Sequence, residues 1–183
     1  SGKGIPASLL MAVVCSLFRN TAMKTTNPRN IASDINNCIS ERNEYNMFCT
    51  MFVGSFDLET GLLTYCNAGH NQPVILKKGK AEFLEVIPNI PVGSFEGFEY
   101  ECETMQMTNE DTLFIYTDGV TEAENMVHHE YSDERLLAEL NKMTATNPSN
   151  VIETVAQSIK NFVGQAEQSD DITMLAVKIN KKI

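Results

Sequence analysis

Positive charge is scarce in this chain: 14 lysines and arginines stand against 24 aspartates and glutamates, a net charge of -10 over 183 residues. No basic block or stripe relieves that balance. This argues against a nucleic-acid partner, which has to be held by neutralising phosphates, and any other anionic partner needs an intervening cation. Cysteine is sparse too. Cys15, Cys38, Cys49, Cys66 and Cys102 are odd in number, far apart and without a C-x-x-C pair, so neither a disulfide framework nor a zinc site is indicated and a reducing, cytoplasmic setting fits. Long apolar runs are missing. The most apolar stretch, residues 5–18, is broken by Pro6, Ser8 and Ser16, falls short of the ~20 residues of a membrane span, and starts too polar for a signal peptide. No membrane contact is expected. There is no G-x-S-x-G elbow, the three histidines (His70, His128, His129) lack zinc spacing, and no repeat or low-complexity tract appears.

What is present suits one domain, residues 1–183, with a hydrophobic content of 43% and a substantial core. Leu9, Leu10, Met11, Val13, Val14, Leu17 and Phe18 are apolar nearly all round a helical wheel, which predicts a helix buried between layers. Asn27-Pro28 supplies an N-cap and a first-turn proline for a second helix striped by Ile31, Ile35 and Ile39. From Met47 the period changes to two. Strands are predicted on either side of the turn at 57–61, on either side of Lys78-Gly79, and around Asn109-Glu110-Asp111, giving an antiparallel, meander-like block. Helices return over 133–143 and after Asn147-Pro148, and the chain closes on a strand over 172–179. The order is that of an α+β protein with sheets covered by helices.

Three segments look unlike packing. The glycine-rich turn at 1–7 can bring backbone amides to an anion, or it is simply a loop leading into a helix. Asp118 stands at the end of an apolar strand, where a carboxylate can hold a metal on a rigid element or lie solvated in a turn. Asp170 and Asp171 are adjacent like charges just before the last strand; joint ionisation asks for a cation, a basic neighbour or plain solvation. A calcium loop of the helix-loop-helix type starting at Asp118 is excluded, because its glycine falls second instead of sixth and Val120 occupies the third position. The two strand-end carboxylate sites stand out by elimination.

In this order and spacing, "SGKGIPASLLM", "TMFVGSFDLETGLLTYCNAGHNQPVIL", "IPVGSF", "LFIYTDGVTEAEN", "DERLLAEL" and "QSDDITMLAV" resemble the SpoIIE/RsbU-like branch of the metal-dependent PPM serine/threonine phosphatases. The resemblance covers essentially the whole chain. It implies an αββα sandwich of two antiparallel sheets flanked by helices, with two Mn²⁺ or Mg²⁺ ions at one end. Asp118 matches the aspartate of the family's T-D-G motif and Asp170 the first of its D-D-I-T or D-N-I-T motif, so both are expected metal ligands and catalytic residues. Asp171 falls where other branches have asparagine, and with Gly119 and Gly2 it is expected to support the site from behind the ligands or through backbone. Lys3 is a weaker candidate for holding substrate phosphate. His70 matches a position typical of the branch, with a structural hydrogen bond as its expected job.

The implied chemistry is in-line attack of a metal-activated water on phosphorus, without a phospho-enzyme. The implied substrate is a phosphorylated regulatory protein of the STAS anti-sigma-factor-antagonist type, under control of a sensor or receiver domain upstream. In the family the glycine-rich turn follows D-V, and a G-D-x-x-D segment lies further upstream; both carry ligands. This sequence starts inside the first motif, so it is expected to be the carboxy-terminal three quarters of such a domain, lacking the first strands and at least two ligand groups, and to be poorly active by itself. The alternative is a non-catalytic module of the same fold that binds a partner without turnover.

Overall fold

The computed structural model describes residues 4–41, 43–144 and 147–179; Gly2 and Lys3 of the glycine-rich turn lie outside them. The chain divides into two compact units, one made of residues 1–70 and 86–106, the other of 71–85 and 107–183.

In the first unit, helices α1 (Ile5–Ala22) and α2 (Pro28–Ser40) accompany a three-stranded antiparallel sheet in the order β1-β2-β5, built from Met51–Phe56, Leu62–Ala68 and Glu103–Gln106. Helix α2 starts as its sequence predicts: the Asn27 side chain accepts the Arg29 N–H at 3.0 Å and Pro28 occupies the first turn. Ile31 and Ile35 are buried, in a cluster with Val53, Cys66, Val92 and Tyr100. Asp57 closes the β1-β2 hairpin by accepting the N–H groups of Glu59 and Thr60.

Helix α1 departs from expectation. Only Val14 and Thr21 are buried in its unit, while Ile5, Leu9, Met11 and Val13 are at least half exposed. It packs on α2 along one side, and a helix that is apolar all round has more apolar surface than one such contact can cover. At 18 residues and mean hydropathy 1.4 it is, by length and composition alone, long and apolar enough to cross a membrane, a test that a core helix of a soluble protein also passes.

In the second unit, β3 (Val74–Lys77), β4 (Lys80–Phe83), β6 (Thr112–Tyr116) and β7 (Met174–Lys178) form an antiparallel sheet in the order β4-β3-β6-β7. Lys78 and Gly79 both have positive φ, 51° and 76°, which is what a two-residue hairpin turn between β3 and β4 requires. Helices α3 (Asp133–Leu140) and α4 (Pro148–Val163) bring Leu136, Leu140, Val151, Val155 and Ile159 onto a core with Val74, Leu76 and Phe114. Asn147 caps α4 by accepting the Ser149 N–H at 2.9 Å.

The strands on either side of the 109–111 turn do not form a hairpin. β5 pairs with β2 and β6 with β3, so the turn passes the chain from one sheet to the other. The meander expected from the sequence is two separate antiparallel sheets in an α+β chain.

Candidate active site

β6 is almost wholly buried, and it pairs with β7 as far as Tyr116 opposite Met174. Thr117 continues the pairing past both strand ends. Its N–H donates to the Thr173 carbonyl at 3.1 Å, its hydroxyl accepts the Thr173 N–H at 3.0 Å, and the same hydroxyl donates to the Asp171 carbonyl at 3.3 Å. Two loops therefore leave the sheet side by side, one carrying Asp118, the other Asp170 and Asp171. They touch at Gly119, where a Cβ would collide with the carbonyl oxygen of Asp171. A side chain there would push the loops apart, so glycine is required for close approach.

Asp118 opens a short 3-10 helix, Asp118–Val120. Its Oδ1 accepts the Gly119 N–H at 2.9 Å, and the Oδ1 of Asp170 accepts the Asp171 N–H at 2.8 Å. Both residues are exposed, and each has one carboxylate oxygen with no hydrogen bond among the described residues. The Asp118 carbonyl accepts the Glu122 N–H at 2.8 Å, and Ser169 donates its hydroxyl to the Glu122 carbonyl at 3.4 Å. Partial burial raises the affinity of Glu122 for its proton, and the charges of Asp118, Glu130 and Asp170 raise it further. Asp118 and Asp170, 52 positions apart in sequence, thus act on a single neighbour.

The structure brings Asp118, Gly119, Asp170 and Asp171 together. Asp171 contributes its backbone at the contact, while its side chain is exposed. Thr117 and Glu122 were not singled out from the sequence. Glu122 had a signal, since it follows Asp118 at the four-residue spacing of one helical turn. His70 belongs to the first unit, where its N–H donates to the Asn67 side chain at 2.8 Å and its carbonyl accepts from it at 2.9 Å.

Exposed carboxylates fixed by backbone N–H groups and crowded by like charge are the hard oxygen donors that Mg²⁺ and Mn²⁺ take. Asp118 and Asp170 offer donors of that chemical type. No group of three or more His, Cys, Asp or Glu side chains able to hold a metal occurs among the described residues, so further ligands are needed for two ions.

The family model for Stage II sporulation protein E (SpoIIE) matches residues 1–180. The phosphoserine phosphatase RsbU of Bacillus subtilis is 24% identical over 122 residues, covering 66% of this chain and 36% of that protein. Among solved structures, the SiaA-PP2C domain of Pseudomonas aeruginosa superposes with a TM-score of 0.84 at 15% identity, covering 98% of this chain and 73% of that one. The manganese-presoaked phosphatase domain of the cell fate determinant SpoIIE from Bacillus subtilis gives 0.63 at 15% identity, covering 100% of this chain and 77% of that one. The fold is that of these phosphatase domains. The chain spans about a sixth to a third of the length of the curated relatives it matches.

Proposed function

This chain belongs to the SpoIIE family, and from that premise we propose that it is the catalytic part of a metal-dependent phosphatase acting on phosphoserine or phosphothreonine of a regulatory protein. The observation that carries the reading is the convergence of Asp118 and Asp170 at the Gly119 contact, where carboxylates accumulate with no basic partner in an ion pair among the described residues. Divalent ions bound there supply an activated water and offset the charge of the phosphoryl oxygens.

Everything else falls to the chain. Asp118 and Asp170 would hold the ions, the N–H groups of Gly119 and Asp171 keep those carboxylates oriented, and Thr117 locks the two loops to each other. Glu122 adds negative potential, so the site favours an anionic substrate only when cations fill it. No side-chain nucleophile is required.

The substrate fits a STAS-type anti-sigma-factor antagonist, with a sensor or receiver domain upstream and a cytoplasmic location. RsbU is itself a phosphoserine phosphatase, which supports the reaction class. A chain that covers 73% of the SiaA-PP2C domain supports its being about three quarters of a phosphatase domain. A second reading, a non-catalytic module binding a partner through the same fold, draws on the lack of a three-ligand group among the described residues. Phosphate release from a phosphoserine protein with and without Mn²⁺, by this chain and by one extended upstream, separates the two: the extended chain turns over and this one does so poorly. An extended chain that binds substrate but releases no phosphate in Mn²⁺ would establish the second reading.

A further inference from the structure

A cavity of about 300 Å³ lies between the carboxy-terminal half of α4, the 3-10 helix and the loop into β7. Gly119 and Asp170 line it, so it adjoins the candidate active site directly. Its apolar walls are Ala123, Ile159, Val163, Ile172 and Met174, of which the last three are half-buried against the core of their unit. Several polar groups that line it are already engaged: Gln168 donates to the Asp170 carbonyl at 2.8 Å, Ser169 to the Glu122 carbonyl, and Glu124 pairs with His128 at 2.7 Å. What they leave to an incoming group is chiefly hydrocarbon, with Lys160, which makes no ion pair among the described residues, in the lining. A larger depression of about 1030 Å³ on α3 and α4 is lined mainly by polar groups such as Arg135, Glu139 and Glu153 and includes neither Asp118 nor Asp170.

We propose that this cavity receives an apolar side chain of the phosphoprotein substrate, at the residue one to three positions from the phosphorylated serine or threonine. The assignment rests on the phosphatase reading above. An extended segment advances about 3.3 Å per residue, so a peptide whose phosphate meets cations at Asp118 and Asp170 reaches a cavity bordered by Asp170 within a few residues. The space holds roughly ten waters' volume; it takes one side chain of leucine, methionine or phenylalanine size, and no folded element. Releasing that water from apolar walls favours the apolar occupant. Selectivity for sequence then comes from the cavity, and selectivity for phosphate from the carboxylate site.

The test uses this chain in excess Mg²⁺ and phosphoserine peptides carrying leucine at one of the six nearest positions in turn, each with its alanine counterpart. Methyl NMR signals of Ile159, Ile172 and Met174 should shift with leucine at one of these positions, and that peptide should bind about tenfold or more tightly than its alanine partner. Ala156 is exposed on α4 and lines the cavity. A156F should fill it, abolish the leucine preference and leave the affinity for the alanine peptide unchanged. Equal binding of leucine and alanine peptides, no binding by either, or a preference that survives A156F would overturn the assignment. Phosphate release in Mn²⁺, measured with the same peptides on a chain extended upstream, reads the phosphatase proposal separately. Release without leucine preference overturns the cavity alone, whereas methyl shifts without release overturn the reaction and leave a peptide-binding cavity.

Discussion

Strand β6 has an aspartate just before it and another just after it, and the two live in opposite environments. Asp111 is 1% exposed; its Oδ2 accepts the Thr108 N–H at 2.8 Å and lies 3.8 Å from the Lys77 ammonium, while its Oδ1 is buried without a hydrogen-bond partner among the described residues. Asp118 is exposed, makes no ion pair among the described residues, and shares its surroundings with Glu122 and Asp170. A buried carboxylate needs hydrogen bonding and a nearby cation, and Asp111 has one of each. Carboxylates that gather without neutralisation cost stability and persist when something outside the chain supplies the positive charge. The contrast between the two ends of one strand is what the proposed role of Asp118 as a metal ligand predicts, and it is visible without reference to any relative.

The sharpest way to break that contrast is to mutate both ends. In a chain extended upstream, Asp118→Asn or Asp170→Asn should lower Mn²⁺-dependent phosphate release by two orders of magnitude or more, on the order of what losing even a supporting group around a metal costs, with no fall in melting temperature. Near-normal release in either variant would remove that residue from the site. Gly119→Ala should come next, because its Cβ meets the backbone of Asp171 and not a pliable side chain. Overpacking of this kind costs about 1 to 3 kcal/mol, and moving the 169–171 loop should also cut release about tenfold; unchanged stability would mean that the loops separate freely. Asp111→Ala should show the reverse profile. It removes the Thr108 hydrogen bond and the Lys77 pairing together with the unpartnered Oδ1, a net loss of about 1 kcal/mol seen as a lower urea midpoint, and leaves release per folded molecule unaltered. Asp171→Asn is milder again: the residue serves through its backbone, and release should stay within about twofold of the parent.

These outcomes also mark what sequence reasoning could reach. Asp118 and Asp170 were legible as candidates because a carboxylate just after or just before an apolar run is a local pattern, and so were the capped starts of α2 and α4 and the Lys78-Gly79 turn. Thr117 was not, since its hydroxyl acts on Asp171 and Thr173, and only strand pairing brings those residues near. Glu122 likewise matters through Asp170. The 109–111 turn looked like a hairpin because its composition is that of one, yet the partners of β5 and β6 are set by long-range register, which a turn of this length does not encode. For α1, the pattern predicted apolar surface correctly and could not say how much of it is covered.

The smallest expected effect tests the charge crowding itself. Burial raises the Glu122 pKa above its ordinary value of 4.5, and Asp118, Glu130 and Asp170 raise it further. A carboxyl whose folded pKa is raised contributes stability that is fully present below its unfolded value and is lost as pH rises through the folded value. At pH 7 the ionised Glu122 therefore works against the fold, and Glu122→Gln should raise the melting temperature of the metal-free chain. The group is largely solvent-exposed, so screening holds the gain to about 1 °C. Below the ordinary value the protonated parent and the variant are nearly equivalent, and the difference should vanish. Excess Mn²⁺ at pH 7 should shrink or reverse it, because a cation near Asp118 and Asp170 turns repulsion at Glu122 into attraction. Three melting curves for each protein, at pH 4, at pH 7 and at pH 7 with Mn²⁺, measure all of this. A lower midpoint for the variant in the metal-free curve at pH 7 would show that Glu122 is held by favourable contacts, and that the carboxylates around Asp118 do not form the uncompensated cluster on which the contrast with Asp111 depends.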